Sequence, residues 1–168
     1  MKIFIIVIVV MSLMGSFMWM MPTKREKIQA HLRLKAKKEG FLVQLVRLTA
    51  PRAEGEMEGE VKNTPAYRLP RSNLDKREVN AMVPWQIFRT KAIANQGLPA
   101  DWSWKLGERT LSESKLSLLS EVINLLPSDV VALESTPVNV TAYWHERSGD
   151  EQLDVIKKAL NLLIQGKI

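Results

Sequence analysis

The chain has 168 residues, with 24 Lys and Arg against 18 Asp and Glu, a formal net charge of +6 and a pI near 9.7. It holds no cysteine, which excludes disulfides, thiolate catalysis and Cys-ligated zinc. The charge excess is confined to residues 24–38, where seven basic residues face only Glu26, while residues 39–168 hold sixteen basic against seventeen acidic residues; no nucleic-acid partner is expected.

Ile3 to Met21 form a run of nineteen uncharged, mostly apolar residues. As a helix they reach ~28 Å, close to the ~30 Å hydrocarbon thickness of a bilayer, so residues 1–22 are expected to be a transmembrane anchor. A cleaved signal would need small residues at a peptidase's spacing, and Gly15, Ser16, Phe17, Met18 and Trp19 do not supply them. Lys2 alone precedes the run, whereas Lys24, Arg25, Lys27, Arg33, Lys35, Lys37 and Lys38 follow it. Cationic flanks stay inside, so the expected product is a single-pass inner-membrane protein, N-terminus outside and C-terminal domain cytoplasmic. Trp19 is expected at the headgroup level, and the seven cations are expected to meet anionic lipid headgroups.

Behind Pro22, Thr23 is placed to cap a basic juxtamembrane helix over residues 23–40, running through Ile28, Leu32 and Ala36 and ending at Gly40. FLVQLVRL, residues 41–48, alternates with Phe41, Val43 and Leu45 on one face and predicts a strand, the start of a soluble α+β domain over residues 41–168. From residue 49 to 80 prolines, glycines and alternating charge predict a long irregular or mobile connection. Within it Glu54, Glu56, Glu58 and Glu60 recur at every second position, a solvated acidic comb rather than a metal site.

A strand is expected around Trp85 to Lys91, followed by the turn-rich, aromatic NQGLPADWSWKLGER. Trp102 and Trp104, between Asp101 and Lys105, are the pair expected to be exposed and to bind a partner, since tryptophan supplies large contact area at interfaces. Thr110 and Glu113 have capping-box spacing ahead of a helix whose Leu116, Leu119, Val122, Ile123 and Leu126 form a core-facing stripe stopped by Pro127. VVALES and VNVTAYWHE flank Pro137 as one bent strand or a short hairpin. Ser148 and Glu151 then open a final helix with Leu153, Ile156, Leu160 and Leu163 inward, closed by Gly166. The sum is an α+β chain: one transmembrane helix, a basic juxtamembrane helix, and a mixed domain of three to five strands with two helices in its C-terminal half.

No phosphate-binding loop, HExxH, GxSxG or dinucleotide motif occurs. His145 beside Glu146 is a poor acid–base pair, because adjacent strand residues point to opposite faces. No enzyme activity, cofactor or metal is expected.

The membrane exit, Trp19 to Lys27 with Pro22 and the basic TKREK behind the apolar run, resembles that of YajC, a small bacterial inner-membrane accessory of the preprotein translocase. The Gly-Asp-x-Val and Gly-Gly strand pattern of that family is absent. The resemblance implies an accessory protein that binds another membrane protein or complex, such as the translocase. An envelope scaffold with the domain outside, or an unrecognised enzyme, are the alternatives.

Overall fold

A computed structural model describes residues 2–19 and 22–168. The chain divides into two units, one reaching to Arg33 and one over Leu34–Ile168.

In the first unit α1 runs over Lys2–Trp19, and its side chains from Ile3 to Met14 are exposed because the sequence has no polar face to turn outward. Among the described residues no helix is long and apolar enough to cross a membrane. The expected single-pass anchor is therefore corrected, and with it the inner-membrane placement and orientation. α1 has 18 residues, the first of them the charged Lys2, and reaches ~27 Å against a hydrocarbon core of ~30 Å. Met20 and Met21, the end of the expected span, and the side chain of Trp19 lie outside the described residues. α2, Lys24–Lys38, starts where expected: the Thr23 N–H donates to the Glu26 carboxylate at 2.7 Å and the Glu26 N–H to the Thr23 hydroxyl at 3.3 Å. Gly40 ends it at φ +94°.

The second unit carries the last turn of α2, then β1 (Leu42–Thr49), β2 (Val61–Pro70), α3 (Lys76–Ala81), β3 (Trp85–Phe88), β4 (Ser103–Leu106), α4 (Glu113–Leu125), β5 (Val130–Ser135), β6 (Asn139–Trp144) and α5 (Gln152–Gln165). The six strands form one antiparallel sheet in the order β1-β2-β6-β5-β3-β4. Because side chains alternate along a strand, register sorts them into two faces. One cross-strand row joins Tyr67, Ala142, Leu133, Ile87 and Trp104, and the next joins Leu69, Val140, Ser135 and Trp85. These residues are buried together with Leu119, Val122 and Ile123 of α4 and Leu153, Ile156, Leu160 and Leu163 of α5. Edge-to-face contacts link Phe41 to Tyr67 at 5.9 Å and Tyr67 to Trp144 at 5.2 Å. Arg71 ties the far end of the sheet to the C-terminal turn: its guanidinium donates to the Thr136 carbonyl, the Ser135 hydroxyl and the Ile168 oxygen, and burial lowers its pKa to about 10.

The domain is thus α+β, with six strands and, across both units, five helices among the described residues, more strands than expected and no spanning helix. The strands not anticipated are β2, inside residues 49–80, where α3 also begins, and β4, inside the stretch expected to be turn-rich; residues 49–80 are thus not wholly an irregular connection. The capping box of α3 is Asp75 with Glu78, each satisfying the other's backbone N–H. The two boxes expected downstream are absent. α4 starts after Ser112 and α5 after Glu151, neither with a side-chain cap. The Thr110 hydroxyl instead donates to the Gly107 carbonyl, and Ser148 is held by Asp129. VVALES and NVTAYW form a hairpin, β5 and β6.

Candidate binding face of the sheet

The sheet face turned away from α4 and α5 has its own small apolar cluster. Leu48, Ala66, Phe88, Ala132 and Tyr143 are buried in it, with Val46, Ala50 and Val131 packed against them. The five buried members come one each from β1, β2, β3, β5 and β6, while Ala50 follows β1 and Val131 adjoins Ala132 at the register shift of β5; no helical residue takes part.

That face is concave. Six strands laid flat at ~4.8 Å spacing would hold the two edges about 24 Å apart. Yet the ammonium of Lys105, on β4 at one edge, donates to the Thr49 carbonyl on β1 at the other, and sits 5.5 Å from the centroid of the Phe88 ring. The loop after β1 reinforces the curl, since the Glu54 N–H donates to the Lys91 carbonyl at 2.9 Å. Register irregularities in β3 against β4, between Gln86 and Ile87, and in β5 against β6, between Val130 and Ala132, supply the bend.

Polar groups crowd one end of the concavity. The Tyr143 hydroxyl donates to the Glu134 carboxylate, and Arg68 donates to the Gln44 side-chain oxygen. Burial, helped by the bond to Glu134, pushes the Tyr143 phenol far above its ordinary value, so it stays a neutral donor at physiological pH.

At the other end a cleft of about 100 Å³ opens between Leu48, Phe88, Lys62, Thr64 and His145. Lys62 pairs with Glu60 at its rim. Thr64 is 1% exposed, and its hydroxyl has no hydrogen-bond partner among the described residues. Burial, then the charges of Arg147 and Lys62, lower the pKa of His145, while Asp129 and Glu60 oppose them. A base whose pKa falls on folding contributes stability that is present above its unfolded value, ~6.5, and lost as pH falls through that value toward the folded one. The expected result is an NMR titration of the His145 ring with its midpoint below 6.5, and a midpoint above it would contradict this placement. Glu146 diverges from His145, not by strand alternation, since β6 ends at Trp144, but because the backbone turns at Glu146, φ +57°, and its carboxylate accepts the Tyr67 hydroxyl at 2.7 Å.

The residues expected from the sequence to bind a partner lie elsewhere. Trp102 and Trp104 are 2% and 3% exposed, which corrects their expected exposure. The Arg89 guanidinium stacks 4.9 Å over the Trp102 ring, and the Trp104 indole N–H donates to the Gln96 carbonyl at 2.9 Å while its ring meets Trp85 edge-on at 6.2 Å. Both rings bury the loop ahead of β4, where an aromatic pair separated by one residue puts both on the core side of a short edge strand. Of the basic residues, Lys24, Arg25, Lys27, Lys37 and Lys38 are exposed, Arg33 is half-buried, and Lys35 pairs with Asp154 at 3.7 Å. Their expected headgroup contact rested on a spanning helix that α1 does not provide. Glu54, Glu56 and Glu58 stay on the loop, and among the described residues no group of His, Asp or Glu is gathered for a metal ion.

Gln44, Lys62, Thr64, Arg68, Glu134 and Tyr143 were not singled out by sequence. Each stands at an alternate position of a strand, opposite the side chains packed with α4 and α5, which is the signal that separates a second face. Comparison with protein families, with curated proteins and with solved structures finds no match to this chain.

Proposed function

We propose that residues 34–168 form a non-catalytic binding module that recognises a protein partner on the concave face of its sheet. One observation carries this reading: over its buried apolar cluster the face presents half-buried Val46, Ala50 and Val131, framed by Arg68, Glu134, Lys62 and Lys105, with no helical residue in the cluster. An apolar centre with a polar rim is the anatomy of a recognition surface. The edge strand β1 adds exposed Leu42 beside it, opposite Arg68. The first complex to test is the preprotein translocase, to which the resemblance at Trp19 to Lys27 points.

The test is crosslinking in intact cells followed by purification through an N-terminal tag, because Ile168 is 1% exposed and a C-terminal tag would disturb the fold. The comparison is an Arg68→Glu, Gln44→Ala variant, whose side chains are on the face but outside the core. A protein crosslinked to the wild type and lost with the folded variant supports the reading. Equal capture by both, or none by either, overturns it.

A further inference from the structure

The buried Thr64 hydroxyl is the least explained group on the concave face. A hydroxyl removed from water without a partner costs about 1–3 kcal/mol, so such groups are normally satisfied by something that enters. Thr64 is among the residues that line the cleft, which has room for several water-sized groups, and a turn of its side chain to another staggered rotamer would bring the closed-off hydroxyl to that space. The walls divide chemically. Leu48, Ala50, Phe88 and Val131 supply an apolar side, while Lys62 and His145 stand with Thr64 on the polar side.

Cations outnumber anions there. Lys62 has Glu60 as its counterion, but the Lys105 ammonium lies over the Phe88 ring that lines the cleft, and Arg147 raises the potential at His145 further. The imidazole responds as to a net positive field, since the opposing influence of Asp129 and Glu60 is the smaller.

We infer that this cleft receives a carboxylate carried on a short apolar stem, the carboxylate oxygens accepting from the Thr64 hydroxyl, Lys62 and His145, and the stem lying on Leu48 and Phe88. The inference rests on the reading of the concave face as a binding surface and names the chemistry its cleft selects. A carboxylate accepts but does not donate, which suits three donors, and a neutral amide of the same shape would bring its own N–H against Lys62. The carboxylate belongs either to a free short-chain acid or to a side chain or chain end of the bound partner.

The experiment titrates the full-length protein with butyrate, following the methyl signals of Leu48 and Thr64 and the ring signals of His145 by NMR, with butyramide as the uncharged isostere. Butyrate is expected to shift all three and to raise the His145 titration midpoint, because an anion stabilises the imidazolium. Butyramide is expected to leave them in place. Thr64→Val, which keeps the shape of the side chain, is expected to weaken butyrate binding about tenfold. No response to butyrate at about 50 mM, which would reveal millimolar affinity, overturns the inference, as does an equal response to butyramide or unchanged affinity in Thr64→Val.

A second arm repeats the crosslinking with butyrate present. Loss of the partner assigns the carboxylate to that partner, and retention assigns it to a free acid; either supports the cleft's chemistry. The titration needs no partner, and Arg68→Glu lies outside the cleft lining, so failure of the inference and failure of the partner reading are separable.

Discussion

Replacing Trp144 with alanine is expected to destabilise the domain by about 4 kcal/mol, the usual range for removing a buried tryptophan. The ring is fully buried, packs edge-on against Tyr67, and its indole N–H donates to the Asp129 carboxylate at 2.8 Å. Asp129 also accepts the backbone N–H groups of Arg147 and Ser148, at 2.7 and 3.1 Å, and the Ser148 hydroxyl. It therefore fastens the chain leaving β6 to the chain entering β5.

Trp144→Phe separates the two contributions. It keeps most of the packing and removes one charge-assisted bond, so a loss of about 2 kcal/mol is expected. Urea unfolding followed by far-ultraviolet circular dichroism reads both values. A loss below about 1 kcal/mol for Trp144→Ala would show that the ring is not part of the packed core.

Asp129 adds a pH dependence of definite sign. Burial acts to raise its pKa, but the Ser148 hydroxyl, the Arg147 N–H, the Trp144 indole and the Ser148 N–H together outweigh it, and the folded value lies below the ordinary one. The associated stability is present above the unfolded pKa, ~3.9, and is lost as pH falls through the lower folded value. Asp129→Asn is expected to flatten the acid limb of the stability profile.

Gly107→Ala is expected to cost about 3 kcal/mol, from two sources that add. Gly107 follows β4 at φ +84°, where an L side chain is strained by about 1 kcal/mol or more. A Cβ placed there would stand 2.6 Å from the Trp85 Cβ and 3.0 Å from its Cα. Those atoms belong to a fully buried tryptophan on a paired strand, so the clash can be relieved only by moving β4 off β3.

Gly40→Ala is the control. It has φ +94° and no atom within 4 Å of the added carbon, so it isolates the backbone strain and is expected to cost about 1 kcal/mol. Equal effects at the two positions would mean that β4 accommodates the methyl, and the close packing of the Trp85 and Gly107 backbones would be refuted.

The helices were legible because their signals are local. The stripe Leu116, Leu119, Val122, Ile123, Leu126 and the stripe Leu153, Ile156, Leu160, Leu163 repeat at helical spacing, and all are buried except Leu116, which is half-buried. Strand β1 and the two runs around Pro137 were legible as strand-forming, but only the pairing of β5 with β6 decided for a hairpin over one bent strand. Strand β2 was hidden by proline. Pro65 has no N–H to donate and argues against an inner strand, yet it lies just beyond the ladder to β6, which begins at Ala66, while the ladder to β1 continues past it.

The capping boxes show the limit of short motifs. Thr110 with Glu113 and Ser148 with Glu151 have the spacing but no cap bond, because Gly107 and Asp129, each distant or earlier in the chain, compete for the same hydroxyls. Asp75 with Glu78 does form one, inside a stretch whose composition suggested no structure.

By itself, then, the sequence determined what depends on residues a few positions apart: an apolar N-terminal helix, two amphipathic helices whose stripes face a core, and several alternating strands in one mixed domain. Tertiary structure alone decided what depends on register and curvature. Pairing β1 with β2 and β3 with β4, with the shifts at Gln86 and Val130, buries Trp102 and Trp104 and brings Lys105 to Thr49 across the sheet. The cleft around Thr64 exists only because residues from β1, β2, β3, β5 and the turn after β6 meet there, and no local rule encodes a contact between residues so far apart along the chain.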